Sequence, residues 1–187
     1  EVGDLIVEVE GTMVTADNYS ELSTSMGGEE GSTLNLVVRR DSQDDDVEIV
    51  LRNIEVPMVT WEQYGDVGYI KIKEFHNNTP AQFNTALKQV TGNGVKALIF
   101  DVRNNPGGTI DSVVDMLDTL LPEGDLVSAT YHDGHTEVLG TSDADEVNLP
   151  MVVITNENTA SAAELFAQAI KDYNKGRTVG TQTYGKG

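Results

Sequence analysis

Ser161 is the residue whose position has the clearest chemical use. It opens an apolar helical pattern, Ser161 to Tyr173, directly after an apolar strand pattern, Met151 to Thr155. A serine at such a turn lifts its Oγ clear of a sheet edge, and the N–H of Ala162 lies beside it, where an oxyanion would form. Gly-x-Ser-x-Gly is absent, and Ser161-x-x-Glu164 is also a capping box. The two readings are compatible, because a serine can cap a helix in one rotamer and attack in another. A second strand-to-helix turn, Arg103-Asn-Asn-Pro-Gly-Gly-Thr109, places Gly107 and Gly108 where backbone N–H groups can approach a bound atom. A helix start there favours negative charge, which suits an oxyanion hole. Taken by itself, this segment reads first as a tight turn with helix capping.

A serine hydroxyl needs a base. His132-Asp-Gly-His135 reads as a solvated polar turn, and His76 follows a strand and precedes Asn-Asn-Thr-Pro, again a loop. A triad of His135, Asp143 and Ser161 can be drawn, but no spacing supports it. His132 and His135 lack an evident third ligand, so no metal site is expected. Lysine is the other option, provided desolvation or a nearby cation disfavours its charged form. Lys186 sits in Tyr184-Gly-Lys-Gly187, after a strand. From local sequence alone it is an ordinary surface lysine.

The elements that must position these residues follow from periodicity. Residues 4–10 alternate as a strand ending at Gly11. Residues 17–26 suit a short helix capped by Asp17, with Tyr19, Leu22 and Met26 on one face. Residues 33–39 and 46–52 are strands, with Asp41 to Asp46 an acidic solvated turn between them. Residues 54–67, containing Pro57, read as a linker. From Gly68 the pattern changes to alternating strand and helix: a strand over 68–75, a helix from Thr79-Pro80, and an apolar strand over 95–102. A helix over about 109–121 follows, with Ile110, Val113, Val114, Leu117, Leu120 and Leu121 inward. The 151–155 strand, the Ser161 helix and a strand starting at Thr178 complete the pattern. This predicts an α/β core with a mostly parallel sheet.

Composition narrows the partners. With 31 acidic residues against 12 Lys and Arg, the net charge is −19. Phosphate binding needs a basic surface, so nucleic acid and anionic membranes are not expected partners. There is no cysteine, which excludes disulfides, a thiol nucleophile and thiolate metal sites. No run of about 18 apolar residues occurs. No cofactor is implied. Neither end of the chain looks like a natural terminus, so a piece of something longer is expected.

Two long stretches combine these signals: Asn156-Glu-Asn-Thr-Ala-Ser-Ala-Ala-Glu to Tyr173, then Gly176-Arg-Thr-Val-Gly-Thr-Gln-Thr-Tyr-Gly-Lys-Gly187. They closely resemble the C-terminal processing (tail-specific) peptidases, serine proteases with a Ser–Lys dyad and a PDZ domain. The resemblance implies Ser161 as nucleophile and Lys186, 25 residues later, as general base, with Tyr184 where the family has Phe. It implies oxyanion donors from Ala162 and from the Gly107-Gly108 turn. Asp172, eleven residues after Ser161, maps to a family position for which a structural or orienting role is expected. Ala163 stands where the family usually has a second Ser.

Residues 1–53 resemble the back half of a PDZ domain without its early strand and carboxylate-binding loop, so peptide capture by strand addition is expected to be crippled. Residues 68–187 are then the peptidase core. The implied activity is cleavage of protein substrates near their C-termini by an extracytoplasmic enzyme, secreted or anchored through a segment outside this chain. With Lys186 the penultimate residue, the 187-residue chain alone is expected to cleave weakly. The competing readings are a catalytically inactive peptide-binding module of the same fold and an acyl-CoA-type enzyme using the Gly-Gly turn as its oxyanion hole.

Overall fold

The structure is a computed structural model and describes residues 3–186. The chain divides into two units, residues 1–56 and 57–187. In the first, β1 (Leu5–Val9), β2 (Thr12–Met13), β3 (Thr33–Arg40) and β4 (Gln43–Val50) form an antiparallel sheet ordered β2-β1-β3-β4, with the short helix α1 (Tyr19–Ser25). Its core is small: Val9, Leu34 and Leu36, packed by Leu22, Met26 and neighbours. Tyr19 does not join that core but stands exposed, and Asn18 rather than Asp17 occupies the helix cap. The expected acidic loop is also corrected. Arg40 pairs with Gln43, so only Asp41 and Ser42 turn, both at positive φ. A two-residue hairpin of this kind matches the strands' right-handed twist, so Asp44 to Asp46 run as strand rather than loop.

The second unit carries the candidate site. Its sheet is ordered β11-β10-β7-β6-β5, from β5 (Val59–Tyr64), β6 (Val67–Ile72), β7 (Ala97–Asp101), β10 (Met151–Thr155) and β11 (Gly176–Gly180). β6, β7, β10 and β11 run parallel, and β5 is antiparallel to β6 at one edge. The segment read as a linker therefore contains a strand of this sheet. It shows no alternation to read, because every residue after Val59, Trp61 and Gln63 included, is exposed. A further hairpin, β8 (Gly124–Thr130) with β9 (Thr136–Ser142), was not anticipated; His132 and His135 lie at its tip.

Helices α2 (Thr79–Gly92) and α4 (Ala162–Asp172) pack on the sheet, and α3 (Ile110–Asp118) packs against both and against the β8–β9 hairpin. Burial along β7 and β10 alternates, with Leu98, Phe100 and Val153 fully buried and Ile99, Val152 and Ile154 half-buried. Their apolar runs suit two-sided burial, but the helices cover one face. Ile110, expected inward, is exposed at the start of α3. Four phenylalanines join the layers: Phe166 of α4 lies 5.5 Å from Phe100, 5.8 Å from Phe75 and 6.4 Å from Phe83, ring centre to ring centre. The contact with Phe100 is edge-to-face, a favoured geometry for buried rings.

Phe166 is fully buried and bridges α4 to β7, to α2 and to Phe75 just beyond β6. Phe166→Ala is expected to lower unfolding free energy by about 3–5 kcal/mol, and Phe166→Leu by much less. Denaturant unfolding of the two variants checks this; equal losses would mean that α4 is not anchored through this ring.

Candidate active site

β7 and β10 are neighbours and parallel, so the turns that follow them leave the same sheet edge side by side. Such an edge gathers functional groups in α/β folds. The turn after β10 delivers Ser161, the residue before α4. Ser161 has φ 55° and ψ −124°, in the left-handed half of backbone space. A non-glycine residue held there stores strain, and such strain collects at nucleophile turns. The turn after β7 supplies Gly107 at φ 106°. A Cβ on Gly107 would lie 2.7 Å from the Ser161 Cβ, 2.8 Å from the Ala160 carbonyl oxygen and 3.0 Å from the Ala162 nitrogen. The two turns therefore touch, and only glycine fits at this contact. Gly108 is as restricted: at φ 145° it forms a bridge with Phe75, and a side chain would run into the Phe75 carbonyl.

The turns are joined by hydrogen bonds as well as by contact. Thr159 Oγ1 donates to the Val102 carbonyl at 2.8 Å, and Ala160 N–H donates to the Asn105 carbonyl at 3.0 Å. Asn105, fully buried, donates to the Ile72 carbonyl and accepts from Gly107 N–H at 2.8 Å. Gly107 N–H is thereby engaged. Among the described residues, the N–H groups of Gly108 and Ala162 make no hydrogen bond.

Glu164 is the carboxylate of the site. It accepts from Ser161 N–H at 2.8 Å, from Gly185 N–H at 2.7 Å and from Lys186 N–H at 2.9 Å. The glutamate half of the expected capping box forms, while Glu164 N–H donates to the Ser161 carbonyl oxygen at 2.8 Å. Burial pushes the Glu164 carboxyl up, but the Thr183 hydroxyl and these backbone N–H groups outweigh it and hold it below its usual range. The Ser-x-x-Glu spacing reveals the cap but not the second role of this carboxylate, which ties the Lys186 segment to the start of α4.

Lys186 itself is exposed, and no hydrogen bond joins its amine to Ser161 Oγ. It borders two depressions: a cavity of about 590 Å³ shared with Ser161, Glu164, Leu165 and Gln168, and a cleft of about 730 Å³ shared with Asn104, Pro106, Asn158, Ala160 and Tyr184. Asp172 lies away from Ser161 at the end of α4 and accepts from Gln168 Nε2 at 2.6 Å. The histidines take no part: His135 pairs with Asp133 at 2.6 Å and stacks on Tyr131, and His76 pairs with Glu74 at 3.0 Å. Among the described residues no cluster of three metal-ligating side chains occurs.

The profile of peptidase family S41 matches residues 66–187. The chain belongs to that family. It is 33% identical over 187 residues to the protein named CtpA-like serine protease in Staphylococcus aureus strain COL, and 29% identical to its namesake in Staphylococcus saprophyticus. Each alignment covers 98% of this chain and 38% of the relative, so the chain spans about two fifths of the length of these proteins. Among solved structures, the photosystem II D1 C-terminal processing protease superposes with a TM-score of 0.65 at 30% identity, covering 99% of this chain and 53% of that one. The mixed α/β fold is that of S41 proteases. Among the described residues no helix is long and apolar enough to cross a membrane.

The base of the Arg103 turn is set by Asp101, whose side chain is fully buried. Burial pushes its carboxyl up, but bonds from the Arg103 guanidinium, Tyr69 and Arg103 N–H outweigh it and hold it at about 2. Burial and the 2.5 Å bond to Asp101 push the Tyr69 phenol up to about 12. The depressed carboxyl adds stability that is present above the ordinary carboxylate range and is lost as pH falls toward about 2. The raised phenol adds stability present below about pH 10 and lost as pH rises through about 12. Tyr69→Phe is expected to cost about 1.5–3 kcal/mol at neutral pH. Its stability gap from wild type should narrow between about pH 10 and 12; a gap that stays constant across that range refutes the Tyr69–Asp101 assignment.

Proposed function

We propose that this chain carries the catalytic core of a serine endopeptidase of C-terminal processing type, with Ser161 as nucleophile and Lys186 as general base. The observation that carries the reading is the strained backbone of Ser161 at the start of α4, seated against Gly107 and tied through Glu164 to the Lys186 segment. In this mechanism Ser161 Oγ attacks the scissile carbonyl carbon while its proton passes to the neutral Lys186 amine. The resulting oxyanion lies against the N–H groups of Gly108 and Ala162, the two donors not engaged elsewhere. Gly107 contributes close packing rather than a donor. Collapse of the tetrahedral adduct breaks the peptide bond, Lys186 returns the proton to the leaving amine, and an acyl-Ser161 ester remains. Water, deprotonated by Lys186, then hydrolyses the ester.

Substrate seated in the clefts beside Lys186 would exclude water from its amine, the condition that favours a neutral lysine. Asp172 acts on the helix surface and orients Gln168. We read residues 1–53 as the back half of a PDZ-like domain, without the loop that would capture a substrate C-terminus, and place the activity outside the cytoplasm on the family resemblance. The reaction needs no metal or cofactor. The inactive-module reading has no observation in its favour.

In the complete protein carrying this chain, Ser161→Ala and Lys186→Ala are each expected to reduce peptide cleavage by at least about 10³-fold with the fold intact, and the double variant should be no worse than either single one. Lys186→Arg keeps the charge but supplies no base at neutral pH, and should be as inactive. If Ser161 serves only as a cap, its loss costs roughly 1 kcal/mol of stability and leaves turnover unchanged. Near-wild-type turnover of Lys186→Arg would remove Lys186 from the mechanism.

A further inference from the structure

We propose that Asn104, Asn156 and Asn158 are positioning residues: an amide clasp between the two strand-to-helix turns that sets the separation of the Gly108 and Ala162 N–H groups. The proposal rests on the reading of Ser161 as nucleophile. Asn104 N–H donates to Asn156 Oδ1 at 2.9 Å, and Asn156 Nδ2 donates back to Asn104 Oδ1 at 2.8 Å. Asn158 Nδ2 donates to the same Asn104 oxygen at 2.9 Å. Asn156 is fixed in turn, its N–H donating to Thr159 Oγ1 at 3.0 Å while its Oδ1 accepts from Asn158 N–H at 3.2 Å.

The clasp sits where the sheet no longer controls spacing. Pairing between β7 and β10 runs out at Ile154 and Asp101, with Val102 N–H making one further bond to Ile154. Beyond that point the ladder is replaced by single bonds, Thr159 to Val102 and Ala160 to Asn105, together with the clasp, and each turn supplies one of the unengaged N–H groups. The clasp spans that gap, from three residues after Asp101 on one side to two residues after Ile154 on the other. Asn104 and Asn158 are exposed, and the hydrophobic core includes neither, so a role in general packing does not account for the three bonds. Both line the cleft that also takes in Lys186 and Ala160. Asn104 is held at φ 62°, a conformation asparagine tolerates better than most residues. Local turn geometry alone would thus also account for an asparagine here, and the test must separate the two causes.

Asn104→Gly does so, since glycine adopts the same backbone without strain but removes the acceptor that receives both Nδ2 groups. In the complete protein we expect kcat to fall by about 10- to 100-fold with KM little changed, because oxyanion contacts act only in the transition state and small displacements there are costly. Asn104→Asp keeps the acceptor and should stay within about threefold of wild type. Asn156→Asp, which turns a carboxylate oxygen toward Asn104 Oδ1, should lose as much as Asn104→Gly. Affinity for a peptide boronic acid, a mimic of the tetrahedral adduct, should fall in parallel with kcat. Melting temperatures establish that each variant is folded, and Asn158→Ala, which removes one bond of three, takes the place of any that is not. Wild-type kcat in Asn104→Gly, or equal losses in Asn104→Gly and Asn104→Asp, overturns the clasp. Ser161→Ala in the same assay keeps the two readings apart: retained cleavage there removes the nucleophile assignment, whatever the asparagines do.

Discussion

The carboxylate of Glu164 is the interaction on which the site depends. Three backbone N–H groups, from Ser161, Gly185 and Lys186, converge on its two oxygens. Hydrogen bonds to an ionised acceptor are stronger than neutral ones, and the start of α4 adds the favourable field of a helix N-terminus. Together they outweigh the cost of partial burial, and Glu164 stays ionised. This single group engages the Ser161 N–H at the start of α4 and brings in the chain that carries Lys186. The rest of that segment is held by the bond from Tyr184 N–H to the Thr159 carbonyl and by the bonds of Thr181 with Thr155 and Glu157.

The sheet supplies what Glu164 cannot. Because β7 and β10 are adjacent and parallel, their outgoing turns must share one edge, and the contact of Gly107 with Ser161 follows from that adjacency. Strain at Ser161 persists only if its surroundings over-determine it. Here they do: Phe166 anchors α4 in the aromatic cluster, the Asp101–Arg103–Tyr69 network fixes the base of the facing turn, and Glu164 holds the serine's own N–H.

Periodicity in the sequence by itself determined the alternating elements of the second unit, since burial against a single helix layer imposes a period of about 3.6 on helices and 2 on strands. The β10 strand and α4 were legible to within a residue. The long motifs around Ser161 and Lys186 were sufficient to indicate the family. β5 was not legible, because an edge strand exposed beyond its first residue, with a proline before it, resembles a linker. The β8–β9 hairpin was hidden because register shifts at Asp125 to Ser128 break its alternation and Val138 and Leu139 are exposed.

Only the tertiary structure decided how the site is joined. That Glu164 reaches Gly185 and Lys186, that Asn104 meets Asn156 across 52 residues, and that Gly107 N–H is taken by Asn105 while Gly108 N–H is not, are outcomes of how turns close in space. A pattern of residue types records which side of an element is buried. It does not record which of several equivalent polar groups will satisfy one another, because that depends on separations of a few tenths of an ångström between segments far apart in the chain.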